Sequence, residues 1–371
     1  MNFGYYMPTR LVLGRNCVTE HAALFAPLGK HALIVTGKSS AFNGALNDVL
    51  SALNANGQAA TVFDRVTPNP GIPCIREGIA LLKSAGADFV VAIGGGSPMD
   101  AAKAIALLSV QDRPDDEIFA GNYAPEALPM AHIPTTAGTG SEVTPYSILT
   151  NDVRQTKTSI SSPALFPRVA FLDGKYMAQL SPQVSLNTAL DALSHAVESM
   201  LSRNAIPMSN MLSEEAIELI VPLLGKAQIG RMTLEERDTM LYASTLAGMA
   251  IAQSGTTAVH GMGYALTYFH NIPHGRANAL LLGETLRLCE EKKVRVLPHI
   301  LAAFHAPLDG VTSLLDTLVG KKEEISKEEL EAFAARAMMN KNIKKSVYEP
   351  TFEEVRRIYF QSFGYDADEE E

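Results

Sequence analysis

Phe89-Val-Val-Ala-Ile-Gly-Gly-Gly-Ser-Pro-Met-Asp-Ala-Ala-Lys103 joins an apolar run, three glycines and an alanine-rich stretch without a break. The apolar run is β-branched and short, as a buried strand is, and the alanines after it favour a helix. Between them, Gly94, Gly95 and Gly96 let the backbone turn tightly and come close to a ligand. The free N–H groups of the helix N-terminus then suit a phosphate. Strand, glycine turn and helix in that order form the unit of an open parallel sheet. By itself the turn is equally consistent with a tight connection that binds nothing.

The same pattern repeats on either side. His31-Ala-Leu-Ile-Val-Thr36, Ala60-Thr-Val-Phe63 and Met130-Ala-His-Ile-Pro134 read as strands, with helices through about Asn54 and over Ile72 to Ser84. Pro134-Thr-Thr-Ala-Gly-Thr-Gly-Ser-Glu142 is a second loop of small and hydroxyl residues at a strand end, able to line a ligand or simply to connect. At the end of the first of these strands stands Thr36-Gly37-Lys38-Ser39-Ser40. An acidic side chain there would accept from ribose hydroxyls and repel a 2′-phosphate. Gly37, Lys38, Ser39 and Ser40 instead offer space, a cation and hydroxyls, which predicts NADP in preference to NAD. An ordinary polar turn with Lys38 in water is the alternative.

After about Ser181 β-branched runs become scarce, and Ala, Leu, Met, Glu and Lys recur at helical spacing. Leu180-Ser181-Pro182 predicts the junction, with Ser181 as N-cap and Pro182 in the first helical position. The expected fold is a Rossmann-like α/β domain over residues 1–180 followed by an all-helical domain over 181–371. A chain of 371 residues, 47% hydrophobic and 19% charged, has material for two such cores. Its net charge of −9 disfavours a nucleic-acid partner. Cys17, Cys74 and Cys289 fit neither a disulfide framework nor a CxxC site, and the N-terminus lacks a basic and apolar leader. No run approaches 18 apolar residues, so a soluble cytoplasmic protein without a membrane partner is expected. The acidic end, Asp366, Asp368, Glu369, Glu370 and Glu371, reads as a solvated tail.

In the second half, four residues stand out as able to close around one metal ion: Asp191, His195, His260 and His274. Asp191 and His195 are four apart and share a helix face. A carboxylate with three imidazoles suits Fe(II) or Zn(II). Each residue also has an ordinary explanation: a helical hydrogen-bonded pair, a core histidine, a helix cap. His21, His31, His132, His270, His299 and His305 lack patterned surroundings and are read as structural, His270 least firmly because it lies near His274.

Five segments together resemble the iron-dependent (group III) alcohol dehydrogenase family: Gly94 to Lys103, Pro134 to Glu142, Asp191-Ala-Leu-Ser-His-Ala-Val-Glu198, His260-Gly-Met-Gly and Pro273-His-Gly-Arg-Ala-Asn278. They occur in the family's order from the opening strand through at least residue 285. The resemblance implies a dehydroquinate synthase-like architecture, a metal on Asp191, His195, His260 and His274, and a site between the two domains. It implies Gly94, Gly95, Gly96 and Ser97 at the pyrophosphate and Thr135, Thr136 and Thr144 along the cofactor. Lys157 would lie near the nicotinamide ribose, Asn69 on the adenosine side, and Asp100 at the nicotinamide end, where a helix-terminal acid is equally well explained by the dipole. Homodimerisation through the N-terminal strands is also implied.

The implied activity is reversible hydride transfer between a small primary alcohol or diol, or its aldehyde, and NAD(P), with Fe2+, Zn2+ or another divalent ion polarising the substrate oxygen. One position departs from the pattern. Many members carry a histidine four residues after the third ligand; here Tyr264 stands there, a phenol ill suited to accept a proton near neutrality. It is either a catalytic hydrogen-bond donor or a pocket-shaping ring. A glycerol dehydrogenase-like or dehydroquinate synthase-like enzyme and a catalytically silent nucleotide-binding protein are the competing readings; the first two families tend toward a three-residue metal set.

Overall fold

A computed structural model of the chain describes residues 2–38 and 42–366. Ser39 and Ser40, and the tail residues Asp368, Glu369, Glu370 and Glu371, lie outside the described residues. Among the described residues eight strands are formed: β1 (Arg10–Leu13), β2 (His31–Thr36), β3 (Ala59–Phe63), β4 (Phe89–Gly94), β5 (Met130–Pro134), β6 (Tyr146–Asn151), β7 (Thr156–Ser161) and β8 (Val169–Leu172). The helices interleaved with them are α1 (Cys17–Glu20), α2 (Ala45–Ala55), α3 (Ile72–Ala85) and α4 (Gly96–Leu108). From Pro182 onward the regular elements are helices. They are α5 (Pro182–Met200), α6 (Pro207–Ile220), α7 (Leu224–Gln228), α8 (Leu234–Ser254), α9 (Ala258–His270), α10 (His274–Glu291), α11 (Leu297–Ala303), α12 (Leu308–Val319), α13 (Lys327–Met338) and α14 (Phe352–Ser362).

Six strands make one parallel sheet in the order β1-β8-β5-β4-β2-β3, and β6 and β7 form a separate antiparallel hairpin. Alternate residues of each central strand enter opposite cores, as the period of two requires. Leu33, Val35, Val90 and Ala92 pack with Ile75, Ile79 and Ile105 on one face. Ala32, Ile34, Val91 and Ile93 pack with Val49, Leu53 and Phe171 on the other. Both faces are therefore dry, which explains why these strands are continuous apolar runs.

The chain passes from β2 outward to β3 and then returns to the other side of β2 for β4. That reversal puts the C-terminal ends of β2 and β4 side by side: Thr36 pairs with Ile93, and its hydroxyl donates to the Ile93 carbonyl at 2.9 Å. Pro134 at the end of β5 pairs with Gly94. The three loops singled out from the sequence thus open from adjacent strand ends at the topological switch point, where open α/β sheets bind ligands.

The chain divides into two compact units: Tyr6–Leu180 with Met232–Thr245, and Ser181–Arg231 with Leu246–Glu371 and Met1–Tyr5. A single cut at residue 180 assigns Met232–Thr245 to the helical half, but their partners belong to the sheet unit. Asp238 accepts from the Gly174 N–H at 2.8 Å and pairs with Arg15, and the Thr245 hydroxyl donates to Glu142 at 2.8 Å. At the junction itself Ser181 caps α5, accepting from the Val184 N–H at 3.2 Å, with Pro182 at the first helical position. Among the described residues no helix is long and apolar enough to cross a membrane.

Within the helical unit, α10 lies against α5 at a glycine. A Cβ on Gly275 would stand 1.8 Å from the Asn187 carbonyl oxygen and 2.7 Å from the Asp191 amide nitrogen. These are backbone atoms that cannot swing aside, so Gly275 sets the closest approach of the two helices. Gly275→Ala is expected to force α10 away from α5 and to lower stability by about 1–3 kcal/mol. Denaturant unfolding followed by the helical signal checks this; a variant as stable as the parent contradicts it.

Candidate functional site

The helical unit carries the metal-type residues on three elements. Asp191 and His195 lie one turn apart on α5, His260 is in the first turn of α9, and His274 opens α10. Asp191, His195 and His260 are buried and each presents one ligand atom within 4.8 Å of the others. The Nε2 atoms of His195 and His260 face each other at 3.0 Å, and their rings stack at 4.7 Å between centroids. His274 is the most open of the four; its Nε2 lies 4.0 Å from Asp191 Oδ1. Its other nitrogen is 3.5 Å from the Thr267 hydroxyl, which orients the ring.

Glu198, which the sequence motif contained but did not single out, orients His260 in this cluster. Fully buried one turn beyond His195, it pairs with His260 Nδ1. Its other oxygen accepts from the Thr257 N–H and hydroxyl, each at 2.8 Å, and from the His260 N–H at 3.2 Å. One carboxylate thereby caps the N-terminus of α9 and fixes the proton of His260 on Nδ1. Burial alone drives this carboxyl upward, but the His260 ring and these hydrogen bonds outweigh it and hold it below its ordinary range. The i, i+3 spacing of His195 and Glu198 was the available signal, a carboxylate one turn from a ligand histidine on the same helix.

With Nδ1 protonated, the Nε2 of His260 carries a lone pair, and it points at another imidazole Nε2 with a carboxylate oxygen 3.8 Å away. Converging Lewis-basic atoms backed by an outer carboxylate are what a divalent cation requires. Iron and zinc both fit this nitrogen and oxygen set. Tyr264 lies beside it: its ring stacks on His274 (5.4 Å, 11°) and meets His260 edge-on (6.4 Å, 84°). His270 belongs elsewhere, pairing with Glu329 at 3.2 Å and packing on Phe333.

In the sheet unit the predicted loops fit one another closely. A Cβ on Gly95 would come within 2.8 Å of the Thr136 hydroxyl, and one on Gly96 within 2.6 Å of a Thr139 methyl. Gly94 has φ +148 and its carbonyl accepts from the Thr135 N–H at 2.9 Å. The glycines are thus required first for the approach of the threonine loop. Asn69 has a left-handed φ of 54, donates its N–H to Ser97 Oγ at 3.1 Å and accepts from Thr150 at 2.7 Å. Lys157 on β7 is paired with Thr150 in the hairpin, near enough to Asp100 to favour its ionised form. Gly37 is half-buried, and Lys38 is exposed beside it.

The side chains of Asp100 and Thr144 are committed to partners inside the protein. Asp100 accepts from Ser141 Oγ at 2.7 Å and from the Ile148 N–H at 3.2 Å. Lys103, fully buried, donates to Ser141 Oγ, to Thr144 through its carbonyl and hydroxyl, and to the Tyr146 carbonyl, all within 2.8–3.1 Å. Burial pulls the Lys103 ammonium down to about 8, against Asp100 and Glu142, and pushes both of those carboxyls up. Lys103 and Glu142 had been noted only as the ends of motifs. Together these groups clamp the first turns of α4 to the segment from Ser141 to Tyr146.

Comparison with known proteins identifies the family. Residues 8–174 match the family described as iron-containing alcohol dehydrogenase, and residues 185–363 match its C-terminal family. Lactaldehyde reductase of Escherichia coli is 37% identical over 259 residues, covering 69% of this chain and 67% of that protein. 1,3-Propanediol dehydrogenase of Klebsiella pneumoniae is 35% identical over 292 residues, 77% of this chain and 75% of that one. The crystal structure of an iron-containing alcohol dehydrogenase from Thermotoga maritima superposes with a TM-score of 0.91 at 38% identity, covering 98% of this chain and 100% of the other. With both halves matched and the fold shared along nearly its whole length, the chain belongs to the iron-containing alcohol dehydrogenase family.

Proposed function

We propose that the protein catalyses the reversible oxidation of a small primary alcohol or diol, or reduction of the matching aldehyde, with NADP at a divalent metal held by Asp191, His195, His260 and His274. The observation that carries this is the convergence of buried ligand atoms on α5 and α9, with the His260 proton fixed on Nδ1 by Glu198. Similarity to a lactaldehyde reductase and a 1,3-propanediol dehydrogenase supports a short, hydroxylated substrate. When bound, the cation supplies Lewis acidity toward a substrate oxygen, and the dinucleotide supplies the hydride acceptor or donor.

The chain's own residues prepare that chemistry. Glu198 keeps the His260 Nε2 lone pair available, and Thr267 and the Tyr264 ring hold the plane of His274. Tyr264 is in place to shape the pocket beside the metal and to donate a hydrogen bond there. On the cofactor side, Gly95, Gly96 and Ser97 offer the N-terminus of α4 to the pyrophosphate. Thr135, Thr136, Asn69 and Lys157 line the cofactor, and Gly37 with Lys38 receives a 2′-phosphate. Asp100 and Thr144 act as positioning residues through Ser141 and Lys103. The edge strand β1, with Leu11 and Leu13 exposed, supports a homodimer formed by a second copy at that edge. Free cysteines support a reducing, cytoplasmic setting.

Glu198→Gln is expected to weaken metal affinity roughly 10–100-fold, with turnover recovered at saturating metal; metal titration with parallel rate measurements reads this. If protein stripped by a chelator keeps full turnover, the metal-centred reading is wrong. Gly37→Asp is expected to move the kcat/KM preference from NADP toward NAD by roughly tenfold or more, about one charge interaction; an unchanged ratio removes the 2′-phosphate role from this turn. Tyr264→Phe keeps the ring stack and is expected to retain metal and most of kcat. A large fall in kcat with a changed pH profile would instead make the phenol a proton carrier.

A further inference from the structure

Asn278 lies one turn beyond His274 on α10 and is completely buried. Its Nδ2 is 3.2 Å from Asp191 Oδ1, 3.2 Å from His260 Nε2, and 3.5 Å from both His274 Nε2 and Ser194 Oγ. The other end of the carboxamide, Oδ1, has no hydrogen-bond partner among the described residues. It points at Gly263 on α9, where a Cβ would come within 2.3 Å of it. The amide therefore reaches the atoms of three candidate ligands with one end and is housed by a missing side chain at the other.

Its orientation follows from the chemistry of its neighbours. His260 Nδ1 carries the proton toward Glu198, so its Nε2 can only accept, and the Asp191 carboxylate can only accept while ionised. Turning the carboxamide over would set an acceptor oxygen against those acceptors, whereas Nδ2 offers them its two N–H donors, shared among the surrounding atoms. A buried amide oxygen left unpaired costs free energy, and the arrangement is kept in spite of it.

We propose that Asn278 is a positioning residue of the metal centre, holding the Asp191 carboxylate and the Nε2 edges of His260 and His274 in register before a cation arrives. The proposal rests on the metal reading given above. An imidazole Nε2 has a single lone pair, so donation to His260 and His274 ends when those atoms take a metal. A carboxylate has several acceptor sites and keeps its bond to Asn278. Gly263 is the matching requirement on α9, since any side chain there collides with the amide.

The test compares wild type, Asn278→Leu, which has similar bulk without donors, and Asn278→Ala. Zinc affinity is measured by competition with a chromophoric chelator, the cobalt(II)-loaded proteins are compared by visible absorption, and melting is recorded for the metal-free proteins. The expected result is zinc binding weakened about tenfold or more in the variants, with altered cobalt bands and a smaller change in metal-free melting. A folded variant that binds zinc within about twofold of wild type, with the same cobalt spectrum, overturns the proposal. So does loss of the metal-free fold in both variants, which would make Asn278 a packing residue. Failure of the wild type itself to bind zinc, cobalt or iron is a different result, and it removes the metal reading.

Discussion

The carboxylate of Glu198 is the constraint on which the candidate metal site depends. It sits fully buried on α5 and is satisfied by four donors, all at the first turn of α9. A helix N-terminus needs partners for its free N–H groups, and a buried charge needs hydrogen bonds; here each requirement meets the other. The consequence is geometric and electronic together. α9 is tied to α5 at a defined height, and the His260 ring is delivered with its basic nitrogen turned toward His195. Gly275 does the same for α10 by steric means, allowing His274 and Asn278 to approach Asp191. The centre is a product of helix–helix contacts, with no loop required to hold a ligand in place.

The sheet unit uses a different logic. Its reversal of strand order leaves the ends of β2, β4 and β5 adjacent, and the loops there are shaped by mutual contact. Gly95 and Gly96 are small because Thr136 and Thr139 press against them. Lys103 replaces ordinary packing with a buried ammonium that gathers carbonyl and hydroxyl oxygens from the segment following the threonine loop. A charge so placed is costly to bury and is retained with all its donors used. The outcome is a set of strand-end loops packed against one another, with Gly95, Gly96 and Ser97 only partly exposed.

Much of this was legible in the sequence. β2 and β5 coincide with the runs His31 to Thr36 and Met130 to Pro134, because strands buried on both faces are uninterrupted apolar stretches. The Ser181-Pro182 helix start was equally plain. What escaped has identifiable causes. β1 lies at the sheet edge with most of its residues exposed, so it shows no buried run. β8 is only four residues long, and β6 and β7 are interrupted by serine and threonine and show no continuous apolar run. The partners that organise the site were the hardest to see. Glu198, Lys103 and Asn278 act by contacts across tens of residues of chain, and each lies in a helix where its type is unexceptional. Asp100 was recognisable as a residue of interest, but only the fold shows that Ser141 and Ile148 occupy its oxygens.

The proposed activity requires one divalent cation held by a carboxylate and three imidazoles. Anomalous diffraction from crystals of the active protein, collected on either side of the iron and zinc absorption edges, tests it most directly. One peak bounded by Asp191, His195, His260 and His274 is expected, with ligand distances of about 2.0–2.2 Å. Active crystals with no peak there, or with the metal bound elsewhere, would contradict it.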